Sequence, residues 1–464
     1  MGLKAEISDI IDELDNFHFE LLGNISELNK EQYFPNFVTS KNGLQRHFTR
    51  KAMTLLRSIS DTIFDNEDKI SRIIERNEFE KVVKQCVADF HAEGKYEKHD
   101  SENLMPGLVE YIKSQAYIRA NKYTHYFPAW TLGMERINEF SIGPVTFMTR
   151  EQWIESVDIP DHVKENFLGQ KEANYRWKDI LLNGLQKWQD EVSLDGFAGY
   201  IHDSISKCPS ILKITLVGYE KNLSRKHAEM ICRSALDAVS LIFGGREFFL
   251  QQALQNERLP PTSSNSLIET DGYLWMPGFS LSPRIPHISP ARASEELQKI
   301  PVILSALESI LEALSNPKSH KYPGLANRWA ISLDWFGEGN REKSDSIALA
   351  KIATSLDVLA CGGKLNGILE MLENLLDIDR GKQVISGKSP KTFKKLIENI
   401  YDDGRSKILH GTYSDRLESY SDLRAHAAHI ARMALIESAA RLKNYQGNNT
   451  DTAFRKMPPV TQVA

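Results

Sequence analysis

Ile347-Ala-Leu-Ala-Lys-Ile-Ala-Thr-Ser-Leu-Asp-Val-Leu359 runs into Ala360-Cys361-Gly362-Gly363. Leu349, Ile352, Ala353, Leu356 and Leu359 recur every three or four residues, which gives one apolar helical face, and the two glycines stop the helix. The period continues on either side. Pro323–Trp335 predicts a preceding helix and Leu365–Leu376 a following one, and Pro390 suits the first turn of another that reaches about Asp402. A last helix is predicted from about Ser419 to Tyr445, with Tyr420, Leu423, Ala427, Ile430, Ala434 and Leu435 turned inward. Upstream, Leu297, Ile300, Leu304, Leu307, Leu311 and Leu314 predict a helix over 292–315 with a kink at Pro301. Residues 291–450 therefore read as a helical domain, and the chain after Gln446, above all 451–464, as a disordered tail.

Residues 1–125 also read as helical. Ile7, Ile10, Ile11, Leu14, Phe17 and Leu21 mark one amphipathic run. A second starts near Leu44 and carries Phe48, Leu55, Leu56, Ile59 and Ile63; a third covers 68–94, and the polar Glu93–Ser101 stretch predicts a loop. Residues 126–290 are mixed α/β. Phe140–Phe147 is strand-like with a break at Gly143-Pro144, which predicts an edge or bulge, and Leu212, Ile214 and Leu216 alternate as in a strand. Ser224 is an expected N-cap for a helix to about Phe243, which Gly244-Gly245 ends. Prolines 260, 261, 277, 283, 286 and 290 oppose regular structure, so the main domain boundary is placed in a connector at 257–290. The fold class is thus mainly α: a helical N-terminal region, a small mixed α/β region and a C-terminal helical bundle.

A chain of 464 residues predicts two or three domains, and a net charge of −5 argues against a protein that coats duplexes; any nucleic-acid site must be a local basic patch. Cys86, Cys208, Cys232 and Cys361 are widely spaced with no CxxC, which excludes a cysteine-based zinc site and points to a reducing compartment. No apolar signal core opens the chain and no apolar run approaches ~20 residues, so no membrane partner and a cytoplasmic location are expected.

Gly337–Ser344 lacks the glycine before Lys343 that a phosphate loop needs, and reads instead as a helix–helix turn with Ser344 as N-cap. His426 and His429 share a helical face but have no third ligand in sequence, so no metal and no cofactor are expected. Arginine followed by histidine at a spacing of five or six occurs as Arg119/His125, Arg405/His410 and Arg424/His429. The last pair would lie ~140° apart on a regular helix. Only Arg405/His410 is bracketed by glycines, Gly404 and Gly411, where the backbone can leave helical geometry. Around it Arg380, Lys382, Lys388, Lys391, Lys394, Lys395, Arg405 and Lys407 outnumber Glu398, Asp402 and Asp403. A cationic patch beside an Arg–His pair suits phosphodiester chemistry.

Arg328–Trp335, Ile347–Leu359 and Tyr401-Asp-Asp-Gly-Arg405-Ser-Lys-Ile-Leu-His410-Gly411, taken in that order, resemble a HEPN domain of the Apea-like group found in prokaryotic defence proteins, over about residues 320–445. The resemblance implies a HEPN-like bundle and a metal-independent endoribonuclease with Arg405 and His410 as its catalytic pair. Asp357 stands where the family often has a glutamate, and is the expected supporting acid. In that chemistry attack by the 2′-hydroxyl would require RNA as substrate; His410 is expected to move a proton, Arg405 to clamp phosphate oxygens, and Lys391, Lys394, Lys395 and Lys407 to hold the RNA backbone. The family builds composite clefts, so a homodimer through the C-terminal domain is expected. The resemblance to defence proteins further implies antiviral action by abortive infection, as a toxin released by a phage-derived trigger that residues 1–290 sense. Tyr273, Trp275 and Phe279 of the connector are candidate docking aromatics for that signal. The competing expectation is a non-catalytic dimerisation scaffold in which Asp357 and Arg405 form a structural ion pair.

Overall fold

The computed structural model describes residues 2–23, 36–94, 104–137, 140–160, 177–186, 194, 196–260, 268–275, 289–387, 389–412 and 417–459; the side chains of 16–23, 104–105, 196–197, 275 and 290 lie outside that description. The chain divides into two units, Met1–Thr124 with Thr215–Ala228, and His125–Ile214 with Glu229–Ala464.

The first unit contains α1 (Leu3–Gly23), the hairpin β1 (Asn36–Thr39) and β2 (Gln45–Phe48), α2 (Arg50–Asn66), α3 (Arg76–Ala92) and α4 (Leu104–Arg119). Ile7, Ile10, Ile11 and Leu14 of α1 share one core with Leu56, Ile59 and Ile63 of α2, Phe79 and Val83 of α3 and Ile112 of α4. Phe17 and Leu21 have side chains outside the described residues, as does most of the 93–101 loop. The helix expected from Leu44 begins instead at Arg50, where the Thr49 hydroxyl accepts from the Ala52 amide at 3.0 Å. Phe48 belongs to β2, because Asn42-Gly43, with Gly43 at φ +84°, turns the chain back on itself. The 68–94 run splits into one turn at Asp68–Ser71 and then α3.

The sheet has strands β3 (Asn121–Trp130), β4 (Ser141–Ile142), β5 (Val145–Thr149), β6 (Ser210–Tyr219) and β7 (Ala253–Leu254), in the order β4-β5-β6-β3-β7. The division between units passes through β3, through β6 and through the helix Lys221–Phe243. Gly143-Pro144 is the hairpin turn that leaves β4 at the edge, where a nearby proline costs no ladder bond. β5 pairs antiparallel with β6 from Val145↔Ile214 to Thr149↔Ser210. Short helices α5 (Arg150–Ser156), α6 (Trp177–Leu185) and α7 (Gly196–Ile205) flank it, with Ile154, Trp177, Leu181, Ile205 and Ile211 in a small core.

The long helix α8 (Lys221–Phe243) starts one turn before the expected cap. Glu220 Oε2 accepts from the amides of Asn222 and Leu223 at 2.9 and 3.3 Å, and Ser224 is buried in the first turn. After Gly244-Gly245 come α9 (Arg246–Gln251), the hairpin β8 (Ile268–Thr270) and β9 (Tyr273–Trp275), α10 (Pro290–Gln298) and α11 (Pro301–Ser315). Pro301 breaks the expected 292–315 helix in two rather than kinking it: Ile300 leaves helical geometry and Pro301 opens a new helix, its ring being incompatible with the preceding turn. The described part of the 257–290 connector includes the β8–β9 hairpin, with Tyr273 73% exposed; Phe279 and the Trp275 side chain lie outside the description.

The remaining helices are α12 (Pro323–Arg341), α13 (Asp345–Leu359), α14 (Lys364–Leu376), α15 (Phe393–Glu398) and α16 (Ser421–Asn444). Trp329, Leu333 and Phe336 of α12, Leu349, Ile352 and Leu356 of α13, and Leu435 of α16 are fully buried, and the Trp329 indole donates to the Leu435 carbonyl at 2.8 Å. Three stretches differ from the sequence expectation. First, α12 runs past Trp335 through Gly337 and Gly339 to Arg341; Ser344 is the N-cap of α13 as expected, though its side chain makes no cap hydrogen bond. Second, Pro390 does not open a helix. Lys391–Thr392 instead forms β11 against β10 (Gln383–Ile385), and Thr392, a better cap, accepts from the Lys395 amide at 3.3 Å.

Third, residues 451–459 do not form the expected disordered tail; 460–464 lie outside the described residues. Arg455 donates to the carbonyls of Ala360, Cys361 and Gly362, the unsatisfied C-terminal end of α13. Arg441 and Asn374 donate to the Met457 carbonyl at 2.7 and 2.9 Å, and Phe454 and Met457 are fully buried.

The expected boundary at 257–290 does not separate the sheet region from the C-terminal helices, which fall in one unit. Polar contacts explain this. Arg432 of α16 donates to the Leu241 and Ile242 carbonyls at the end of α8, and Arg246 of α9 donates to the Asn340 and Glu342 carbonyls at the end of α12. The chain is mainly helical with a mixed sheet region, and no single helix among the described residues is long and apolar enough to cross a membrane. Because Phe454 is fully buried, Phe454→Ala is expected to cost about 3–5 kcal/mol, read as a lower urea midpoint with an unchanged slope.

Candidate functional site

Between α15 and Lys407 the chain winds as a π-helix, Asn399–Ser406, with no proline to cause it. Such wide turns recur at functional sites because they displace side chains from their regular positions. Close packing accompanies it here. Gly404 is buried, and a Cβ at that position would lie 2.7 Å from Leu349 Cγ of α13. Only the missing side chain lets the π segment approach α13 so closely.

That approach brings Arg405 to Asp357, two helical turns beyond Leu349. Arg405 Nη2 meets Asp357 Oδ2 at 2.9 Å, with the side chains 27% and 17% exposed. Tyr401, one turn back, lies under the guanidinium: its ring centre is 5.4 Å from Arg405 Cζ, and its hydroxyl is 3.5 Å from Nη1. The pair is monodentate. Asp357 Oδ1 and Arg405 Nε are both buried without a hydrogen-bond partner among the described residues. Two unsatisfied polar atoms at one ion pair carry a desolvation cost that a further polar partner would relieve.

His410 ends the short helix Lys407–Leu409, and Gly411 at φ +65° turns the chain away. The imidazole is exposed and makes no hydrogen bond or ion pair among the described residues. Arg405 and Asp357 are therefore joined, while the contacts that hold Arg405 do not include His410.

The basic stretch is largely paired with its own acids. Lys394 and Lys395 share Glu398 at 3.7 and 3.3 Å, and Lys407 meets Asp403 at 2.6 Å. Lys391 reaches the Asn399 amide oxygen at 3.0 Å when that amide also donates to the Lys395 carbonyl. Lys388 lies outside the described residues. Exposed pairs of this kind are worth only about 0–1 kcal/mol, so they hold these lysines weakly.

The other Arg–His pairs have different surroundings. Arg424 is buried, bonded to Asp345 at 2.7 Å and to the Gly339, Asn340 and Glu342 carbonyls, so it caps the end of α12. Arg119 donates to the Gln115 carbonyl of its own helix at 3.3 Å. His426 and His429 border an apolar recess of about 320 Å³ with Phe393, Leu396, Ile430 and Met433. No group of three or more His, Cys, Asp or Glu placed to hold a metal occurs among the described residues.

The π segment and Tyr401 are the parts of this site that sequence reading missed. The spacing of Tyr401 and Arg405, four apart on one helical face, was the available signal for the second. Fold and site together define a mainly helical protein in which Tyr401 and Arg405 of a π segment meet Asp357 of α13, with an exposed histidine five residues further along the chain. No protein-family model, curated protein or solved structure matches the chain.

If Gly404 is required for the approach to α13, Gly404→Ala should destabilise the protein by roughly 1–3 kcal/mol. Paired with Leu349→Ala it should cost less than the sum of the two single changes, because the second change makes room for the methyl group. Chemical denaturation of the four proteins checks this.

Proposed function

We propose that the chain is a metal-independent endoribonuclease with Arg405 and His410 as its reacting groups, as the resemblance to HEPN domains implies. The observation that carries the reading is the incomplete Arg405–Asp357 pair. It fixes a guanidinium that is 27% exposed through a single nitrogen on one carboxylate oxygen, so N–H groups of the five it carries are left over for another acceptor. A phosphodiester offers the acceptor oxygens those donors lack, and arginine's planar fork suits them.

In this reading the RNA 2′-oxygen attacks the adjacent phosphorus and the bond to the 5′-oxygen breaks. The products are a 2′,3′-cyclic phosphate and a 5′-hydroxyl. His410 accepts the 2′-hydroxyl proton or supplies one to the leaving oxygen, and an exposed imidazole is free to do either. Arg405 neutralises charge that builds on the phosphate in the transition state. Asp357 is a positioning residue that holds Arg405. Lys391, Lys394, Lys395 and Lys407 exchange their local acids for backbone phosphates. Because His410 is not among the groups that hold Arg405, a homodimer through the C-terminal helices, with a cleft completed by a second copy, fits the reading. Growth arrest on phage infection is the biological role this chemistry would serve, with residues 1–290 sensing the trigger or selecting the RNA.

The second reading is a non-catalytic dimerisation or scaffold protein. It is favoured by the same ion pair taken as purely structural, and by the lysines already paired with acids.

Incubating full-length protein with total cellular RNA in EDTA separates the two. The ribonuclease reading expects cleavage in the chelator, with Arg405→Ala and His410→Ala each lowering the rate at least about 10²-fold while the circular dichroism spectrum is unchanged. Intact RNA with the wild-type protein, or equal cleavage by His410→Ala, would refute it.

A further inference from the structure

α8 and α12 meet across a cluster of ionisable side chains in the second unit. Arg233 and Asp237 come from α8, Asp334, Glu338 and Arg341 from α12, and Glu257 and Arg258 from the segment after β7. Asp237 is fully buried and is gripped by both terminal nitrogens of Arg341, Nη1 lying 3.1 Å from Oδ2. Arg341 and Arg258 each reach Glu338 at 3.2 Å, and Arg233 holds Glu257, with Nε to Oε1 at 2.5 Å. Asp334 is the acid left over. It makes no hydrogen bond or ion pair among the described residues, and its Oδ1 is buried without a partner.

The charges do not balance. Asp237, Glu257, Asp334 and Glu338 stand against Arg233, Arg258 and Arg341, whose guanidinium groups do not give up protons; Lys351 also acts on Glu338, but its charge is matched by Glu342 at 2.9 Å. With every acid ionised the cluster holds one uncompensated negative charge, and a single proton cancels it. We propose that Asp334 carries that proton and makes the α8–α12 junction a pH-sensitive clasp, closed when Asp334 is neutral and loosened when it ionises.

Burial, and then the neighbouring Asp237, push the Asp334 carboxyl up to about 7, with Glu257 adding to the shift and Arg233 and Arg341 opposing it. Burial also raises the Asp237 carboxyl, while the contacts from Arg341 pull it back. Asp334 therefore holds its proton in the folded chain over a range where the unfolded chain has lost it. The folded state binds the extra proton, so stability falls as pH rises from about 4 to about 7 and then levels off.

The inference is independent of the ribonuclease reading. It is tested by urea unfolding of full-length protein from pH 5 to pH 8.5, wild type beside Asp334→Asn. In wild type the unfolded-to-folded ratio should rise by up to about tenfold per pH unit below pH 7 from this group alone. The asparagine variant, neutral at every pH, should lack that component and be the more stable of the two at pH 8. Profiles that differ only by a constant offset would overturn the proposal. Amide exchange in the wild type, corrected for its intrinsic pH dependence, gives a readout that needs no variant. Protection across 229–243 and 323–341 should drop between pH 6 and 8, and constant protection there would likewise reject the clasp.

Discussion

Everything in the C-terminal helices depends on how closely α12 and α13 approach. The contact is made by small residues. The Ser332 hydroxyl donates to the Ser355 carbonyl at 2.8 Å, its oxygen lies 2.9 Å from the Ser355 hydroxyl, and a Cβ on Gly339 would fall 2.6 Å from Ile352 Cγ1. Larger side chains at these positions would push the helices apart. With the pair closed, α13 is enclosed by α12, α16 and the π segment, and Leu349, Ile352 and Leu356 leave water completely. Asp357, on the same rigid helix, is carried to a fixed place at the edge of that core.

The candidate site is built on this rigidity. A wide helical turn costs regular hydrogen bonding, and α13 offsets the cost by packing against Gly404. The result is an arginine in a defined position with one charged contact among the described residues. An ion pair at partial exposure contributes little to stability, so Asp357 does more to orient Arg405 than to hold the bundle together. The same geometry serves phosphate recognition in one reading and internal structure in the other, and the free imidazole of His410 is the element only the first reading uses.

Arginines have a second task in this chain. Arg246, Arg424, Arg432 and Arg455 all donate to main-chain carbonyls at helix ends. Each helix leaves its last carbonyls without internal partners, and a guanidinium can satisfy several at once. Through these contacts the sheet region, the bundle and the C-terminal segment behave as one unit despite the proline-rich stretch between them.

Much of the helical architecture was legible in the chain itself. The apolar periods of α1, α13, α14 and α16, the glycine stops after α8 and α13, and the alternation in β6 follow from local chemistry that a linear sequence displays. The β1–β2 hairpin was not anticipated, because the apolar period beginning at Leu44 predicts a helix there. The sequence also placed Arg405, Asp357 and His410 among the candidate residues. Other features are invisible without tertiary contacts. The docking of 451–459 through Arg455, Phe454 and Met457 depends on carbonyls of a distant helix, the π-turn on Leu349 meeting Gly404, and the uncompensated charge at Asp334 on three segments far apart in sequence. Periodicity and capping are properties of neighbours along the chain; close approach and charge balance are properties of neighbours in space, and only the folded structure determines those.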